Sequence, residues 1–135
     1  MSPAANVGDV LPELRPAPIS RATLALFAGG SGDHNPIHID IDAARAAGAQ
    51  DVFAHGMLTM AHVGRLLTGW VPQHRIRALR ARFTAITPVL AEPVCTGRVT
   101  AVEDVDGERR ATIAITVELA DGTTTLLGEA VVATG

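Results

Sequence analysis

From about Arg75 to the C-terminus, apolar and polar residues alternate with the period of two that marks half-buried strands. Leu79, Ala81 and Phe83 interleave with Arg80, Arg82 and Thr84, and a second run covers Val94 to Val105. Asp106-Gly107 follows as a strong turn signal. Ile113, Ile115, Val117 and Leu119 then alternate with Ala114, Thr116 and Glu118, a second turn falls at Asp121-Gly122, and a last strand covers Thr124 to Ala133. Four strands in succession favour an antiparallel meander.

The first half of the chain has helical signals instead. Residues 7–19 carry Pro12, Pro16 and Pro18, so any strand there is short or at an edge. Ser20 is suited to N-cap a helix, with Ile19 and Leu24 as a hydrophobic staple across it and Gly29-Gly30 as its stop. Asp42 to Gly48 reads as a short helix with Asp42 as its acidic cap. The run from His55 to Leu67 is apolar on nearly every side with few charges, which predicts a buried helix. The class is α+β, in a single domain over residues 1–135 without repeats or linkers.

Composition narrows the picture further. An apolar fraction of 47% with 19% charged residues describes an ordinary globular chain, while 3% aromatics and no Tyr leave the core to Ala, Val, Ile and Leu. A formal charge of −3 argues against nucleic acid or an anionic membrane as partner. Cys95 is the only cysteine, so no intrachain disulfide forms, and its strand context predicts a buried, inert thiol. Without a signal-peptide pattern or a membrane-length apolar run, the expected location is cytoplasmic.

The densest candidate chemistry lies at residues 27–40, where Ser31-Gly32-Asp33-His34-Asn35-Pro36-Ile37-His38 separates two helical runs. Pro36 lacks an N–H and drives Asn35 toward an extended conformation, so helix stops here. A tight loop would aim Asp33 and His38 at one point, and a carboxylate beside an imidazole can move protons. The same residue types also make an ordinary turn. A third reading takes Asp33, His34, His38, Asp40 and Asp42 as metal ligands, but Asp42 is better used as a helix cap and no paired-histidine metalloprotease motif is present. No metal is expected.

The stretch from Phe27 to His38, with Ala44 beyond it, resembles the signature of the MaoC-like (R)-specific enoyl-CoA hydratases and 3-hydroxyacyl-thioester dehydratases. The resemblance implies the hot-dog fold, an antiparallel sheet wrapped around a long buried helix. It implies that Asp33 and His38 are the catalytic pair, with Asn35 and Ser31 supporting them. It also implies reversible hydration of a trans-2-enoyl thioester to an (R)-3-hydroxyacyl thioester, on coenzyme A or acyl carrier protein, without cofactor.

That reaction needs hydrogen-bond donors at the thioester oxygen as well as proton transfer. The start of the buried helix, His55-Gly56-Met57, offers unpaired N–H groups at its positive end, and Thr59 lies one turn in. Gly56 serves equally well for tight helix–sheet packing. Arg75, Arg77, Arg80 and Arg82 are candidates for the carrier's phosphate groups, or a solvated strand face. Unpaired strand edges, together with the resemblance, favour a homodimer. Two other roles stay open: a subunit of a heterodimeric 3-hydroxyacyl-ACP dehydratase, and a hot-dog acyl thioesterase.

Overall fold

The computed structural model describes residues 4–135. Helix α1 (Arg21–Ser31) opens where expected, with the Ser20 side chain accepting from the Thr23 N–H at 3.0 Å. Ile19 and Leu24 are both buried in one cluster with Ala44, Val52, Ala54 and Leu58. The helix passes through Gly29-Gly30 and stops at Gly32 instead. Gly32 takes the left-handed conformation (φ 79°) that ends a helix, and its N–H donates to the Ala28 carbonyl. A 3-10 turn over Pro36–His38 leads to the short helix α2 (Ile41–Ala46). Its cap is Asp40, which accepts from the Asp42 N–H at 2.9 Å. Asp42 itself sits in the first turn, correcting the expected assignment by two residues.

Helix α3 (Gly56–Thr68) has its apolar face against the sheet, with Val63, Leu66 and Leu67 in the main core. It is not covered on every side: Met57, Ala61, Arg65 and Thr68 form an exposed stripe. Strands β1 (Ile76–Phe83), β2 (Val94–Val105), β3 (Glu108–Glu118) and β4 (Thr124–Ala133) make one antiparallel sheet in the order β1-β4-β3-β2. The meander therefore holds for β2, β3 and β4 only. β1 pairs with β4, because the long connection at residues 84–93 carries the chain across to the far side of the sheet rather than turning back.

The two sheet edges differ. On the outer side of β2, Gly8, Leu11 and Leu14 donate to the carbonyls of Val99, Gly97 and Cys95 at 2.8–3.0 Å. The proline-rich segment thus covers that edge from Cys95 to Val99 without forming a regular strand. Among the described residues, no strand pairs with the outer edge of β1. Among the same residues, no helix is long and apolar enough to cross a membrane.

Candidate active site

The loop after α1 is built by short polar side chains binding nearby N–H groups. Ser31 Oγ accepts from the Asp33 N–H at 3.1 Å, Asp33 Oδ1 from the Asn35 N–H at 3.1 Å, and Asn35 Oδ1 from the Ile37 N–H at 3.2 Å. Asn35 is extended ahead of Pro36, and the 3-10 turn then drives His38 inward. Ser31 and Asn35 are therefore loop-forming residues, while Asp33 stays exposed and His38 is 7% exposed.

His38 Nδ1 lies 2.7 Å from the Phe53 carbonyl. A carbonyl oxygen only accepts, so Nδ1 carries the proton and a neutral ring has its lone pair on Nε2. The ring makes a T-shaped contact with Phe53, centroids 5.3 Å apart. It also stacks on His55 at 3.8 Å, with 26° between the planes. His55 Nε2 is 3.1 Å from the Asp33 carbonyl, and Phe27 packs edge-on against His55 at 4.8 Å. Asp33, His38 and His55 each offer an atom within 4.8 Å of the other two. These three residues come together as the sequence suggests for Asp33 and His38.

A cavity of about 470 Å³ opens beside His38, lined also by Gly56, Thr59, Phe83, Thr87 and Thr125. Gly56 begins α3, and the first N–H to find an acceptor there is that of Leu58, on the His55 carbonyl at 3.0 Å. The Gly56 and Met57 N–H groups precede the helical hydrogen bonds. Thr59 faces the cavity as expected. Met57 is 61% exposed and lies outside the lining, so what it offers at the helix start is its N–H, as the sequence suggests, and not its side chain. His55 is buried and also absent from the lining, its Nε2 being committed to Asp33.

The arginines are not gathered at this cavity. Leu79 and Ala81 pack on the core, which turns Arg80 and Arg82 to the opposite face of the sheet. Arg80 pairs there with Glu129. Arg77 binds Glu108 through two contacts of 2.9 and 2.7 Å, and with Arg110 it holds the Glu108 carboxyl down to about 2. Arg75 lies half-buried at the far end of β1 from Phe83. Ion pairing and strand alternation thus disperse what looks like one basic group.

The proposed metal ligands separate as well. Asp40 caps α2, and Asp42 is exposed in its first turn. Of the five, Asp33 and His38 do come together, and with His55 they offer three ligand-type atoms within 4.8 Å of one another. The site also uses groups with no sequence signal, above all the Phe53 main-chain carbonyl and the lining side chains Phe83, Thr87 and Thr125.

Known proteins resemble this one throughout. The family model described as a MaoC like domain matches residues 4–124. The 3-hydroxyacyl-thioester dehydratase Z of Mycobacterium tuberculosis is 30% identical over 129 residues, spanning 86% of this chain and 82% of the relative. An (R)-hydratase from A. caviae involved in PHA biosynthesis superposes with a TM-score of 0.86 at 26% identity, covering 98% of each chain. A chain of the ChsH1-ChsH2 complex from Mycobacterium tuberculosis gives 0.85 at 23% identity, over 98% of this chain and 100% of that one, a likeness of fold. Sequence motif, hot-dog architecture and homologues named as hydratases and dehydratases agree: this chain belongs to the MaoC-like domain family.

Proposed function

We propose that the protein catalyses reversible hydration of trans-2-enoyl thioesters to (R)-3-hydroxyacyl thioesters through Asp33 and His38. The observation that carries this reading is the bond from His38 Nδ1 to the Phe53 carbonyl, which leaves the lone pair of a neutral ring on Nε2, with a ring nitrogen of His38 within 4.8 Å of the Asp33 carboxylate. In the hydration direction a water between the two gives its proton to this pair as its oxygen bonds to C3. C2 receives a proton from the pair, so H and OH add across the double bond and no net proton is consumed. Charge building on the thioester oxygen is met by the N–H groups that open α3 at Gly56.

The chemistry calls for neither metal nor organic cofactor, and the acyl group arrives on coenzyme A or acyl carrier protein. The open edge of β1 suits a second copy, giving a homodimer that works in the cytoplasm. A crotonyl thioester tests the reading directly. Loss of enoyl absorbance without release of free thiol is the expected result. Release of thiol would assign the site to a thioesterase instead, and no change in either signal would assign it a non-catalytic role such as a partner subunit.

A further inference from the structure

His55 takes no part in the proton transfers above, yet it contacts both residues that do. We propose that His55 is the positioning residue of this site: its Nε2–H holds the Asp33 carbonyl while its ring face fixes the plane of His38. The inference rests on the Asp33–His38 reading and adds what keeps that pair aligned.

Three observations carry it. The contact at 3.1 Å from His55 Nε2 to the Asp33 carbonyl requires the proton on Nε2, since the carbonyl has none to give. Asp33 is an exposed loop residue, and this bond ties its main chain to the start of α3, twenty-two positions along the chain. Ser31 and the Asn35 N–H brace Asp33 only from within its own loop.

The second observation is the stack. A single hydrogen bond from Nδ1 to Phe53 leaves the His38 ring free to swing about the N···O line. The flat contact with His55, together with the T-shaped contact with Phe53, removes that freedom. Phe27 in turn holds His55, so α1 braces the ring that braces the base. Displacements of about 1 Å at a reacting group can cost on the order of 10²-fold in rate, so this bracing matters to turnover.

The third observation is where the ring sits. His55 is 2% exposed. At that buried position the imidazole combines two features that a phenyl or aliphatic side chain lacks together, a donor at Nε2 and a flat polar face. His55 and Asp33 are both absent from the cavity lining, which His38 alone of the three enters.

The test compares His55→Ala, His55→Phe (ring without donor) and His55→Gln (donor without ring) with Asp33→Asn in the crotonyl thioester assay. His55→Ala is expected to lower kcat by about 10²-fold with KM within about threefold, and the other two should each recover part of the loss. Imidazole ¹⁵N spectra, which need no substrate, should show His38 as one Nδ1–H tautomer in the wild type. In folded His55→Phe and His55→Gln the ring should become more mobile, and in His55→Ala most of all. Unchanged His38 spectra and unchanged kcat in folded variants would overturn the inference. So would a tenfold rise in KM at constant kcat, which would make His55 a substrate ligand. Wild-type activity in Asp33→Asn would instead overturn the underlying reading, whatever the His55 variants do.

Discussion

Phe83 lies across Gly56 so closely that a Cβ added to the glycine would sit 3.2 Å from the aromatic ring. The start of α3 is therefore narrow on the side facing β1. Gly56→Val is expected to lower turnover by roughly 10²-fold, because it displaces Phe83 and shifts the N–H groups proposed to meet the thioester oxygen. Adding Phe83→Ala separates two causes. Recovery of activity in the double variant would assign the loss to packing against Phe83, whereas persistent loss would place it at the substrate oxygen. A Gly56→Val enzyme that folds and turns over normally removes Gly56 from the site.

For the proton-transfer pair, Asp33→Asn and His38→Ala should each cost about 10²-fold or more in kcat, within the range for general acid–base catalysis. The double variant should lose far less than the product of the two, because members of one working unit are not additive. Steady-state rates and thermal melts on the same preparations make the check, and Asp33→Asn should melt near the wild type because Asp33 is exposed. Chelator should leave the wild-type rate unchanged. Inactivation by chelator, with recovery on adding metal, would replace the pair with a metal mechanism.

Acid sensitivity should trace to two carboxylates away from the cavity. Arg77 and then Arg110 hold Glu108 at about 2, and a bond from Arg21 holds Asp51 at about 2, against 4.5 and 3.8 for the unperturbed groups. A value depressed by folding means that the stabilisation is present above the unfolded value and is lost as protons bind. Stability should therefore fall between about pH 5 and 2. Urea midpoints measured across that window should decline less steeply in Glu108→Gln and Asp51→Asn than in the wild type. Equal slopes would show that these ion pairs are too well solvated to contribute.

Sedimentation or light scattering at micromolar concentration should give twice the 14.0 kDa chain mass. A fully active monomer would leave the β1 edge without its assigned partner.

Much of this architecture was legible in local pattern. The alternation that marks Val94–Val105 and Thr124–Ala133 fixed those strands to the residue, and Ser20 announced α1. The buried Cys95, its thiol raised to about 11 by burial, also follows from its strand context. Pairing was less legible, because the neighbour of β1 is set by where residues 84–93 lead and not by the strand itself. Which glycine stops α1 depends on a left-handed φ at Gly32 that Gly29 and Gly30 do not adopt. The two readings of the Arg75–Arg82 group stayed open for a related reason: charge density along a sequence says nothing of which face or which carboxylate each side chain meets. The carbonyl of Phe53 is invisible to any reading of residue types, since every residue has one. His55 was visible as a helix entry, but its reach to Asp33 exists only once the loop and α3 are brought together.

The unequal edges of the sheet determine where copies of this chain can add to one another. Residues 8–14 occupy the hydrogen-bonding positions of β2 from Cys95 to Val99, so strand addition along that half of the edge is blocked, whereas no strand covers the outer edge of β1 among the described residues. A second copy therefore meets a longer free edge at β1 than at β2. The N-terminal segment is thus a partial terminator as well as a cover.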